Sequence, residues 1–140
     1  MKKLLAIGLA LACTLSALAT HAEDGYDMWL RYQPLNDSAL VKDYRKQLGT
    51  LVAPGGPAVI ESAAQELQRA ISGLLDRPLE RSDSLARRGS LVIGTPESSE
   101  LIASLGWEER LAQQGPEGFL LETTRIGRRD VTVIASEGDS

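Results

Sequence analysis

With 140 residues and a formal net charge of −4, the chain has room for one domain with a modest core and not for two. The acidic balance excludes a general nucleic-acid binder or an anionic-membrane binder, because a negative surface repels both. Cys13 and His21 are the only cysteine and histidine, and both precede residue 23, so residues 23–140 can host neither a Ser-His-Asp triad nor a zinc site of the usual kind.

Lys2 and Lys3 are followed by an uncharged apolar run over residues 4–19, then by small residues, then by Glu23 and Asp24. That order predicts a secretory signal peptide over residues 1–22, cleaved after Ala19 or Ala22. The run is shorter than the roughly 20 apolar residues a spanning helix needs, so no membrane attachment is expected after cleavage. Cys13 is a poor lipoprotein acylation site, since Ala10 stands where such sites usually carry Leu. The expected address is the periplasm or the extracellular space. An exported domain without cysteine must rely on its own core or on a partner rather than on disulfides. Cleavage leaves 13 basic against 19 acidic residues, a net charge of −6.

Residues 23–32, EDGYDMWLRY, cluster Tyr26, Trp29 and Tyr32. Such a cluster reads either as a sugar-stacking platform or, with no polar array beside it, as an aromatic plug pinning an N-terminal arm to the core. Residues 48–57, LGTLVAPGGP, predict a short strand and a turn. Gly55 and Gly56 lack the Lys and Ser/Thr of a phosphate loop. A helix is predicted over residues 62–75, with Ser62 and Gln65 at capping-box spacing and Ala63, Leu67, Ala70, Ile71, Leu74 and Leu75 on one face. Asp76, Arg77 and Pro78 end it.

Residues 90–94, SLVIG, predict a buried strand. Thr95, Pro96 and Glu97 then read as the cap and first turn of a helix through Leu101, Ile102 and Leu105 that stops at Gly106. An anion at that helix start is disfavoured by Pro96, which removes a donor, and by Glu97, which repels. A further helical piece covers residues 108–113. Two strands, 119–124 and 130–135, close the chain as a hairpin around a loop of residues 125–129. Phe119, Leu121 and Thr123 share one side of the first, and Val131, Val133 and Ala135 one side of the second. The predicted fold class is α/β, a small mixed sheet covered by helices and ending in an antiparallel hairpin. Both sheet faces carry apolar side chains, and the helices at 62–75 and around Ile102 are expected to cover one of them, leaving the other incompletely covered.

Paired carboxylates could in principle hydrolyse a glycosidic bond, but Glu108 and Glu109 point in different directions on a helix. No catalytic, cofactor-binding or metal-ligating residue is therefore assigned, and no cofactor is expected. The final strand leads into a Gly-Asp-Ser stub at residue 140, which reads as a domain cut short.

The segments EDGYDMWLRY, LVIGTPESSE, GPEGFLLE and VTVIAS, in that order, resemble the N-terminal domain of α-glucuronidases of glycoside hydrolase family 67. The resemblance covers residues 23–140 almost entirely. The last three phrases also occur, more loosely, in the small domains that precede barrels in β-hexosaminidases. The resemblance implies an enzyme that removes glucuronic or 4-O-methylglucuronic acid from xylo-oligosaccharides with inversion. It also implies a (β/α)₈ barrel partner, following this domain, that holds the catalytic carboxylates and the xylo-oligosaccharide; no family residue carries over onto this chain. The alternative is a free-standing carbohydrate-binding module in which Trp29 and its tyrosine neighbours hold xylan.

Overall fold

Five strands and four helices are built from residues 30–53 and 55–138, which, with residue 25, are the residues described by the structure, a computed structural model. The chain divides into two compact units, Met1–Arg31 and Tyr32–Ser140, and the fold below belongs to the second. The signal-peptide reading, Tyr26 and Trp29 lie outside the described residues. Among those residues, no helix is long and apolar enough to cross a membrane.

Helix α1, Ser38–Gln47, was not expected, because it buries no residue and so writes no strong apolar stripe. Its ends are nevertheless well specified. The Asp37 carboxylate accepts from the amides of Ala39 and Leu40 at 2.9 and 3.0 Å, and Arg45 and Lys46 sit at the negative end of the helix dipole. Strand β1 is Thr50–Val52, within the predicted segment.

Helix α2 is Ala58–Leu75 and begins four residues earlier than the capping-box spacing implied. Pro57, at ψ 141°, occupies the N-cap position without a side-chain hydrogen bond. Ser62 lies inside the helix and donates back to the Ala58 carbonyl at 2.9 Å, while Gln65 turns to Glu61 at 3.1 Å. The extra turn carries Ile60, which is buried against the sheet, so tertiary burial rather than a cap sets the start. At the other end Asp76 takes a left-handed conformation, φ 46°, and the amides of Asp76 and Arg77 bond the carbonyls of Gly73 and Ser72. This is a Schellman ending, reached before Pro78 can act. The Arg45 guanidinium, bonded to the Leu75 carbonyl at 2.9 Å, fastens α1 to it.

Strand β2, Glu80–Ser82, was also missed: three polar residues on an outer edge give no period to read. Strand β3, Ser90–Gly94, is buried along its whole length as expected. Helix α3, Glu100–Ala103, is capped by Ser99 and not by Thr95. Pro96 follows Thr95 in a turn, and the Thr95 hydroxyl accepts from the Ser98 amide at 3.0 Å, so the hydroxyl serves the turn instead of the helix. Helix α4 is Glu108–Ala112.

Strands β4, Phe119–Ile126, and β5, Arg129–Ser136, are longer than predicted. The expected five-residue loop shrinks to Gly127 and Arg128, since Arg125 pairs with Asp130 and Ile126 with Arg129. Gly127 supplies φ +61° at the first central position, the conformation that a mirror-image two-residue turn requires.

The sheet order is β2-β1-β3-β5-β4. The first four strands are mutually parallel and β4 joins antiparallel as an edge, so the expected mixed sheet with a closing hairpin is what forms. The two helical regions do not share a face, contrary to expectation. Leu51, Leu91 and Ile93 pack with Ile60 and Ala64 of α2, whereas Val92, Val131 and Val133 pack with Ile102, Trp107 and Leu111 of the α3–α4 region. Alternation within each strand sends odd and even residues to opposite layers.

Candidate functional site

Of the aromatic cluster, Tyr32 alone is described, and it is half-buried. Its hydroxyl donates to the Glu66 carboxylate on α2, and its backbone lies so close to Gly73 that an added Cβ would stand 2.6 Å from the Tyr32 carbonyl oxygen. Tyr32 thus fastens the segment before α1 onto α2, as an anchoring aromatic would.

Thr95, Ser98 and Ser99 are brought together at the carboxyl end of β3. Their hydroxyls bond one another and local amides, with Thr95 Oγ1 to Ser98 Oγ at 3.0 Å and Thr95 N to Ser98 Oγ at 2.9 Å. The set is internally satisfied, which suits a structural turn. Glu108 and Glu109 are both exposed in the first turn of α4. Among the described residues, no three of His, Cys, Asp and Glu converge as metal ligands would.

A half-buried ion pair links α2 to the edge strand. Arg81 Nη1 meets both oxygens of Glu61 at 2.8 Å, and its second nitrogen reaches the Ala53 carbonyl at 3.4 Å. The Arg81 hydrogen bond, with help from Gln65, holds the Glu61 carboxyl below its ordinary value of 4.5. A carboxyl lowered on folding adds stability above its unfolded pKa, and that stability is lost as pH falls through the lower folded value. Arg81→Ala should therefore move the Glu61 titration up toward 4.5, followed by NMR of its side-chain carboxyl, and flatten the loss of melting temperature below that pH. An unchanged titration would show that Arg81 is not the cause.

Among the concave surfaces of the described residues, two differ sharply in their lining. The first is apolar. On the α2 side of the sheet, Leu121 and Ile134 face Tyr44, Leu48, Leu67 and Ile71 across a groove of about 340 Å³. Helix α2 covers β1 and β3 but does not reach β4, so Leu121 is 63% and Phe119 61% exposed on an edge strand. The face expected to stay open is covered by the α3–α4 region, and the exposed apolar area lies instead on the α2 face, beyond the helix.

The second is cationic, at the end of the sheet where the parallel strands begin. Lys46 and Gln47 end α1, Arg87 and Arg88 precede β3, and Arg128 sits in the hairpin turn; together they border a cleft of about 420 Å³. Thr123 and Thr132, cross-strand neighbours with hydroxyls 3.5 Å apart, line its wall. Lys46 pairs with exposed Asp43 at 2.9 Å, and Asp130 in the cleft is held by Arg125 at 3.0 Å. Among the described residues, Arg87, Arg88 and Arg128 make no ion pair and no side-chain hydrogen bond. None of these cations was singled out from the sequence, where residues 125–129 read only as a hairpin loop. Their convergence depends on the sheet order, which placed β3 beside β5.

Residues 28–140 match the family model described as the glycosyl hydrolase family 67 N-terminus. No curated protein matches the chain. The resemblance carried by LVIGTPESSE, GPEGFLLE and VTVIAS is borne out, and those segments are β3 with its turn, the entry to β4, and β5. A match over four-fifths of the chain, on a mixed sheet closed by an antiparallel hairpin, means that the chain belongs to the glycosyl hydrolase family 67 N-terminus family.

Proposed function

We propose that residues 23–140 are the non-catalytic N-terminal domain of an exported α-glucuronidase that removes glucuronic or 4-O-methylglucuronic acid from xylo-oligosaccharides. Family membership supports the glycosidase class. The observation that carries the domain's role is the open apolar strip of Phe119, Leu121 and Ile134 on β4 and β5, which a neighbouring domain would bury. A following (β/α)₈ barrel, holding the acid and base carboxylates, is the partner we assign to it, with a contact of roughly 600–1,500 Å². Residues 1–22 act as the export leader, and mass spectrometry of exported protein should find an N-terminus at Glu23 or Thr20.

The test is hydrolysis of aldouronic acids. The 140-residue chain should release no uronic acid, whereas a chain extended through the barrel should release it with inversion at the anomeric carbon, read by NMR. Turnover by the short chain that survives repurification would assign catalysis to its own carboxylates. An extended chain that cleaves a different linkage would overturn the substrate.

A further inference from the structure

We propose that the cleft bordered by Lys46, Arg87, Arg88 and Arg128 binds the carboxylate of a uronic-acid-bearing oligosaccharide. The glycan class rests on the function proposed above; the anion preference rests on the cleft itself. In a chain of net charge −4, cations are the minority, yet three separate elements direct theirs to this place. Three guanidinium groups without a partnering carboxylate repel one another, and an arriving anion relieves that repulsion.

The cleft is held in shape. The Gly89 carbonyl accepts from the amides of Gly49 at 2.6 Å and Thr50 at 3.0 Å, tying the loop of Arg87 and Arg88 to the end of α1. Gly89 has φ +70°, and a Cβ there would stand 2.2 Å from the Lys46 carbonyl oxygen, so only glycine lets the two segments meet. Arg128 is placed by the tight turn at Gly127. The backbone thus fixes where the charges emerge before any ligand arrives.

The chemistry favours a sparse carboxylate on a hydroxylated molecule. An arginine fork meets a carboxylate with two parallel hydrogen bonds. Gln47, Thr123 and Thr132 add neutral donors and acceptors of the kind that sugar hydroxyls use. The volume lies within the roughly 300–1,000 Å³ of small-molecule sites. A nucleic acid fits worse: no aromatic side chain lines the cleft for base stacking, and the acidic remainder of the chain repels a dense polyanion.

The experiment is calorimetric titration of the full chain at low salt with four probes. These are glucuronic-acid-substituted xylo-oligosaccharides, the same compounds with the carboxyl reduced to the alcohol, oligogalacturonides, and inorganic phosphate. The substituted xylo-oligosaccharides should bind, the reduced ones at least tenfold more weakly, and Arg87→Ala/Arg88→Ala/Arg128→Ala should lower affinity at least tenfold while leaving the melting temperature in place. Arg128→Lys, which keeps the charge and loses the fork, should lower it less. Equal binding of the reduced probe, an unaffected triple variant, or phosphate bound as tightly as the glycan would each overturn the proposal. Binding of oligogalacturonides alone would uphold the cleft as a uronate site and instead count against the xylan substrate. No binding of any uronate would overturn the cleft proposal and leave the hydrolysis test above untouched.

Discussion

Trp107→Ala should remove about 3–5 kcal/mol of folding stability, the range seen when a large buried aromatic is truncated. Trp107 is only 6% exposed and packs with Val92, Ile102, Leu111, Val131 and Val133, so it joins the α3–α4 region to the centre of the sheet. Its ring also lies 5.0 Å from the Arg110 guanidinium, whose other contact is Glu122 on β4 at 2.6 Å. Losing the indole therefore opens a cavity and loosens the Arg110–Glu122 ion pair that links α4 to the edge strand. Against a total of roughly 5–15 kcal/mol for a natural domain, that loss brings the fold close to unfolding at ambient temperature. Urea titration followed by circular dichroism checks it, with Trp107→Phe expected to retain most of the stability. A loss below about 1 kcal/mol for the alanine variant would show that this layer does not carry the fold.

On the opposite face, two leucines separate the finished part of the core from the unfinished part. Leu91→Ala should cost about 2–5 kcal/mol, because Leu91 is 2% exposed in the layer covered by α2. Leu121→Ala should cost no more than about 0.5 kcal/mol in this chain, since its side chain is already 63% exposed. The same Leu121→Ala change in a chain extended through the proposed barrel should become costly if the barrel covers β4. Unfolding of both variants in both chain lengths reads this directly. Equal, negligible cost of Leu121→Ala in the two lengths, with a monomeric short chain whose melting does not depend on concentration, would favour a free-standing module. Self-association of the short chain, relieved by Leu121→Thr, is the result expected of an exposed apolar edge strand.

Elements that bury a face announced themselves, and elements that do not stayed silent. SLVIG at β3 and the alternating hairpin strands were legible because burial on one or both sides writes an apolar pattern. Helix α1 and strand β2 were not, since neither spends apolar residues on the core. The signals that could have found α1 were local: Asp37 before the helix and Arg45-Lys46 at its end. Gly127 likewise carried the tight turn, but the flanking Arg125 and Arg129 disguised strand residues as loop residues.

The sequence by itself determined the class of fold, the family, and the want of His and Cys beyond residue 22, because each follows from residue identities and local period. Only the tertiary structure decided that α2 and the α3–α4 region take opposite faces, that β4 is the uncovered edge, and that Lys46, Arg87, Arg88 and Arg128 share one cleft. The physical reason is strand order. Local pattern fixes which side of a strand is apolar, but which strands become neighbours is set by long-range pairing, and with it which loops meet at the sheet's end.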